Sequence, residues 1–216
     1  MFIKNILNKF RCRNHKNEVL SEGIELPAGI EVNPDNFPMP DNYEEIINQP
    51  EYKIIVEKID LKTYDHILEI GFGNGYLNRI FLKKNDKVAI SCLDITKNID
   101  SVSVEKFEPF LKSGYFSIKF QDISKAFFWE YEEYNKIYTI NTIHLWDDLD
   151  KYFSVLKNII KTNGVFLNVI NIKSCFNKYT LNEIEKITEK YGMKILEIIE
   201  IRRNESYCII SEKFKS

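Results

Sequence analysis

Cysteine and histidine are scarce in this chain, four and three among 216 residues. Cys12, Cys92, Cys175 and Cys208 stand apart, with no C-x-x-C pair and no histidine cluster beside them. That scatter argues against a metal site and against a disulfide framework, and it suits a reducing cytoplasm. No apolar run approaches the ~20 residues that cross a bilayer, and no secretory h-region precedes the body of the sequence. Neither sign of charge dominates: 30 Lys and Arg stand against 32 Asp and Glu, and the pI is about 6.0. A nucleic-acid partner is therefore not expected from the overall balance. Glycine is also sparse, eight in all, yet three of the eight fall at positions 71, 73 and 75.

What is present begins with that cluster. His66-Ile67-Leu68-Glu69-Ile70 is an apolar run ending in an acid and then in Gly71-Phe72-Gly73-Asn74-Gly75-Tyr76. A helical pattern follows at Leu77, Ile80 and Phe81. Strand, glycine-rich turn and helix form the element that holds nucleotide-like ligands in doubly wound α/β domains. Glycines permit a tight turn and a close backbone approach to a ligand. The spacing is G-x-G-x-G, with Tyr76 where a dinucleotide fingerprint would place its last glycine. A carboxylate at Glu69 repels a pyrophosphate and suits an ammonium group.

Further apolar strands read at 88–93, 115–120, 136–141 and 165–170. The first of these ends at Asp94, about twenty residues after the glycines, where an acid meets ribose hydroxyls in this architecture. Asp94 reads as that ligand or as a helix cap. Residues 195–201 and 207–211 are apolar, with a polar turn at 202–205 and no room for a helix between them. They predict an antiparallel hairpin, which a purely parallel dinucleotide fold lacks. Thr180 with Glu183 predicts a capping box, and Asp147 or Asp148 a further helix N-terminus. Lys161-Thr162-Asn163-Gly164 reads as the turn that closes the latter helix.

Glu69-x-Gly71-x-Gly73-x-Gly75 resembles the first motif of the class I S-adenosylmethionine-dependent methyltransferases, and the strand-end acids and the hairpin agree with it. The resemblance spans about 59–213. It implies a mostly parallel, doubly wound, seven-stranded sheet with a C-terminal antiparallel hairpin, a Rossmann-like methyltransferase fold. It implies S-adenosyl-L-methionine as cofactor, held by Glu69, Gly71, Phe72, Gly73, Gly75, Asp94, Ile95, Asp122, Ile123 and Asn141, with no metal. In the family, Asp122 would bond the adenine amino group, with Ile95 and Ile123 against the ring. Asp122 also reads as a plain turn cap.

The fourth strand leads into Asn141-Thr142-Ile143-His144-Leu145-Trp146, where the family's nucleobase and glutamine enzymes carry a proline pair. Its absence points to a small-molecule acceptor bordered by His144, Trp146 and Tyr43, and away from nucleic acid. His144 is the candidate general base, with a structural hydrogen bond as its other reading. Residues 1–58 are expected as an N-terminal segment forming a lid or pocket wall, with Met39, Asn42 and Tyr43 as candidates, and 59–216 as the cofactor-binding domain. Within the former, Met1 to about Val19 is basic, with Phe2, Ile3, Ile6, Leu7 and Phe10 at helical spacing. It reads as a helix docked on its own domain or, less favoured, as one that meets an anionic membrane surface. Two other functional classes stay open: an NAD(P)-dependent oxidoreductase, which shares the early βαβ unit, and a non-catalytic S-adenosylmethionine-binding subunit. An aminopropyl transferase would suit Glu69 equally well. The oligomeric state is not read from the sequence.

Overall fold

A computed structural model describes residues 36, 41–73, 75–84, 87–95, 108–125, 134–173 and 178–214. The basic segment before Val19, Met39, Cys12 and Cys175 lie outside the described residues. The helices are α1 (Tyr43–Ile47), α2 (Pro50–Lys58), α3 (Asn78–Lys84), α4 (Glu108–Ser113), α5 (Leu149–Ile159) and α6 (Leu181–Lys190). The strands are β1 (His66–Ile70), β2 (Ala89–Asp94), β3 (Phe116–Phe120), β4 (Tyr134–Ile140), β5 (Ile160–Asn171), β6 (Met193–Arg202) and β7 (Ser206–Lys213).

The strands form one seven-stranded sheet in the order β3-β2-β1-β4-β5-β7-β6. β1 to β5 run parallel, while β7 is antiparallel to both β5 and β6. The expected hairpin is therefore present. It closes one edge of the sheet, and the strand order reverses between β1 and β4. Doubly wound sheets bind ligands at such a reversal, beyond the carboxyl ends of the strands.

The parallel strands are buried on both faces, as parallel sheets generally are, while the edge strand β6 is largely exposed. On one face lie Tyr152, Phe153, Leu156 and Ile159 of α5 with Ile184 and Ile187 of α6, packed on Leu68, Ile137, Phe166 and Ile209. On the other lie Ile55 of α2, Phe81 and Leu82 of α3 and Phe110 of α4, packed on Ile67, Ile90, Tyr138 and Leu167. α2, which sequence reading assigns to the N-terminal segment, thus lies in the same layer as α3 and α4. Fully burying a side chain such as Ile55 contributes roughly 1.5–3 kcal/mol. Both ends of α2 are also tied to β6. Arg202 grips the buried Glu51 with Nε at 2.7 Å and Nη2 at 3.0 Å, and Lys58 bonds Glu197 at 2.8 Å.

Local rules set the starts of α5 and α6. Asp148 accepts from the N–H of Lys151 at the start of α5, and Thr180 with Glu183 forms a complete capping box on α6. One expectation differs. Residues 161–164 do not form a free turn; β5 begins at Ile160, directly after α5, and includes them. Asn163 takes a left-handed conformation (φ 63°), and the pairing with β4 shifts register between Tyr134 and Lys136. The extra residues are absorbed as a bulge, which an Asn-Gly pair tolerates as readily as a turn.

Candidate functional site

The glycine turn leaves β1 at Gly71 and enters α3 through Gly75, with both glycines at positive φ (85° and 65°). At these two positions the backbone requires glycine for space as well as conformation. A Cβ on Gly71 would run into the methyl of Thr142, and one on Gly75 would meet the Phe72 ring and sit 2.8 Å from the Asn78 amide. Gly73 differs, because nothing lies within 4 Å of its Cβ position. It faces open space, as a close backbone approach to a ligand demands.

Asp94 ends β2 beside this turn, and its Oδ2 accepts the Gly73 N–H at 3.0 Å. Ile95, next along, is 55 % exposed although it is a large apolar side chain. An uncovered aliphatic plate beside a strand-end carboxylate has the form needed for a base and its ribose. Phe72 turns inward from the loop and packs on Phe116.

Glu69 is buried beneath the turn, not in its mouth. Its Oε2 accepts from the Asn78 amide at 2.9 Å, the Cys92 thiol lies 3.7 Å away, and the Tyr138 phenol faces the same carboxyl. Burial pushes this carboxyl up to about 8, against the opposing pull of those bonds, and the nearby Asp94 adds to the rise. The same burial drives the Cys92 thiol and the Tyr138 phenol well above their ordinary ranges, with Glu69 adding to both. Asn78 Oδ1 is buried without a hydrogen-bond partner. An unsatisfied acceptor beside a buried carboxyl calls for a donor from a bound partner, and an ammonium group would satisfy both. Asn78 and Tyr138 escape sequence reading; their only signal is a polar residue where the first helix turn and a neighbouring strand face the motif's acid.

Asp122 begins the 3₁₀ turn Ile123–Lys125 and caps it, its Oδ1 accepting the Ser124 N–H at 2.8 Å. Burial alone would raise its carboxyl, but the bonds from Ser124 and Tyr152 outweigh it and hold the group below the ordinary range. Ile123 is buried in the α5 face core. Both residues stand at the carboxyl end of β3, two strands from the glycine turn.

After β4, Asn141 takes a left-handed turn (φ 54°), its N–H bonds the Val169 carbonyl at 2.8 Å, and its buried Oδ1 has no partner. Both polar atoms of the buried Asn168 on β5 are likewise unpaired, and sequence reading does not select that residue. Thr142 presses on Gly71 and bonds Thr139, so the β4 loop and the glycine turn touch. Burial, with Lys178 adding, holds the His144 imidazole below its ordinary range. Trp146 is buried and stacks on Tyr152 with centroids 4.8 Å apart. Tyr43 is buried under Arg79, whose guanidinium lies 5.4 Å from its ring.

The protein-family comparison matches residues 36–199 to mycolic acid cyclopropane synthetase. The chain belongs to that family. Its members are S-adenosylmethionine-dependent methyltransferases, and S-adenosylmethionine is their cofactor. The glycine crook, the open Gly73 and the exposed Ile95 fit that cofactor's nucleoside, and the uncompensated Glu69 fits its ammonium end. A ribosomal RNA small subunit methyltransferase A from Malacoplasma penetrans is 29 % identical over 152 residues, 69 % of this chain and 48 % of that protein. The chain thus spans about half the length of that curated relative. Among solved structures, a phosphoethanolamine N-methyltransferase 2 of Haemonchus contortus, in complex with S-adenosyl-L-methionine, superposes with a TM-score of 0.63. It is 16 % identical, with 80 % of this chain and 56 % of that one covered. The [4+2]-cyclase SpnF gives a TM-score of 0.64 at 8 % identity, with 76 % of this chain and 80 % of that one covered. Those likenesses establish the fold. Among the described residues no helix is long and apolar enough to cross a membrane.

Proposed function

We propose that this protein transfers the methyl group of S-adenosylmethionine to a small-molecule acceptor. The observation that carries the reading is the cradle between β1 and β2, where the Asp94 carboxylate sits on the Gly73 N–H and the Cβ position of Gly73 is open. When bound, the cofactor supplies a sulfonium-activated methyl for in-line displacement. The chain's task is then to align acceptor and donor.

In this reading Gly71, Gly73 and Gly75 shape the crook, and Asp94 accepts from the ribose hydroxyls. Ile95 lies on one face of the base, while Asp122 closes its far side, backed by Ile123 from within the core. Glu69, once ionised, holds the ammonium end from beneath, assisted by Asn78. Asn141 with its unpaired amide oxygen and His144 border the acceptor, and Tyr43 and Trp146 back the pocket from within the fold. His144, whose imidazole is held below its ordinary range by burial, accepts the acceptor's proton where one must leave.

The absence of a proline pair after Asn141 favours a small acceptor. The similarity to a ribosomal RNA methyltransferase supports a second reading, an RNA acceptor. Calorimetry with S-adenosylhomocysteine tests the cofactor half. A screen with methyl-labelled donor against small amines, hydroxyls, lipids and ribosomal RNA tests the acceptor half. Transfer to RNA alone would replace the small-molecule reading, and failure to bind S-adenosylhomocysteine would remove the enzymatic one.

A further inference from the structure

We infer that Lys178 and Tyr179 are positioning residues for the acceptor side of the site, clamping the backbone of the segment that carries His144. This rests on the reading that the β4 loop borders the acceptor.

The segment after β4 is short and poorly supported by its own sequence. Ile143–Leu145 is a single 3₁₀ turn, and Trp146 leaves it in an extended conformation (φ −79°, ψ 128°). Carbonyls at such an end have no helical partner and need donors from elsewhere. The donors come from the loop before α6. Lys178 Nζ donates to the Trp146 carbonyl at 2.6 Å and lies 3.4 Å from the His144 carbonyl. The Tyr179 hydroxyl donates to the same Trp146 carbonyl at 2.7 Å and reaches the Asp147 carbonyl at 3.3 Å. Two adjacent side chains thus hold three carbonyls of the loop. They also brace each other, with the Lys178 ammonium 5.3 Å from the Tyr179 ring centroid.

The clamp has a rigid base. The Trp146 indole stacks almost parallel on Tyr152, 6° between planes, and meets the buried Phe153 edge-on. The Tyr152 phenol faces Asp122, the carboxylate just after β3, and each acts on the other's titration. A continuous path of contacts therefore runs from Lys178 and Tyr179 through Trp146 and Tyr152 to the proposed adenine end of the cofactor site.

Position has a chemical consequence. Lys178 reaches the His144 carbonyl from the loop before α6, and its charge acts on the ring together with burial. On the ring's own segment follow Asp147 and Asp148, the latter turned to the Lys151 N–H. A cation held by the loop's carbonyls works against protonation of His144 and keeps the base available.

The test uses the full chain and the NMR titration of its three histidines, His15, His66 and His144, with S-adenosylhomocysteine affinity measured alongside. Lys178→Met is expected to move the His144 midpoint upward while leaving that of His66 in place. Lys178→Arg, which keeps the charge and the donors, is expected to restore it. Tyr179→Phe is expected to speed amide exchange at Leu145 and Trp146, whose N–H groups close the 3₁₀ turn. A His144 midpoint unchanged in Lys178→Met, or one that moves together with His66, overturns the clamp. Should Lys178→Met fail to fold, Lys178→Gln carries the same comparison. Failure of the wild-type chain to bind S-adenosylhomocysteine refutes the cofactor reading instead, and the His144 titration still decides the clamp.

Discussion

The Asp94 carboxylate accepts the backbone N–H of Gly73 across 21 residues of sequence. That bond joins the end of β2 to the mouth of the glycine turn, so a ribose bound by Asp94 meets the turn backbone as well. Asp94→Ala should weaken S-adenosylhomocysteine binding by about 1–3 kcal/mol, the cost of leaving polar partners unmatched. Asp94→Asn, which keeps an acceptor, should lose less. Isothermal calorimetry measures both, and equal affinity for wild type and Asp94→Ala would take this residue out of the site.

The glycines should separate into two classes. Gly71→Ala pushes a Cβ into Thr142 at φ 85° and should cost about 2–4 kcal/mol of stability from overpacking and backbone strain. Gly73→Ala meets no protein atom and should cost only the strain of its left-handed backbone, ~1–2 kcal/mol. Its methyl enters the space reserved for ligand, so its affinity for S-adenosylhomocysteine should fall about tenfold or more. Denaturant melts and calorimetry on both variants distinguish the classes; a Gly73→Ala protein that binds normally would mean the ligand lies elsewhere.

Glu69 should give the ligand-free protein an unusual pH dependence. Burial raises its carboxyl from the ordinary 4.5 to about 8, so between those values the folded chain holds a proton that the unfolded chain has released. The associated stability is full below about 4.5 and is lost as pH rises toward 8. The midpoint of thermal unfolding should therefore fall across that window. Glu69→Gln, neutral throughout, should flatten the fall while weakening cofactor binding. Identical slopes for the two proteins would contradict the burial of an uncompensated acid.

Glu51 tests the attachment of α2 without touching the site. Its carboxylate is buried, but the paired Arg202 side chain is 46 % exposed, so the loss on Glu51→Gln should stay at about 1–3 kcal/mol, below that of a fully buried pair. S-adenosylhomocysteine affinity should not change. Chemical denaturation and calorimetry together check this; a loss of affinity would place α2 in the site.

Features written over a few residues are legible in the sequence itself. The Thr180–Glu183 capping box, the Asp148 cap and the Gly71-x-Gly73-x-Gly75 turn each depend on neighbours three or four positions away, and each appears as expected. The hairpin of β6 and β7 is legible because no helix fits between two apolar runs so close together. The partners of these features are not legible. Asn78 under Glu69, Arg202 on Glu51, and the Lys178–Tyr179 grip on Trp146 join residues 9, 151 and 32–33 positions apart. The bulge at Asn163 escapes because Asn-Gly suits a turn and a strand irregularity alike.

By itself, the sequence determined the order of the elements and the shape of the glycine crook, since periodicity, capping and positive φ are local properties of the chain. Only the tertiary structure decided that Glu69 lies buried and raised to about 8, and that the loop bearing His144 is held from across the fold. Burial and long-range hydrogen bonds depend on which strands the sheet brings side by side, and no short stretch of residues encodes that.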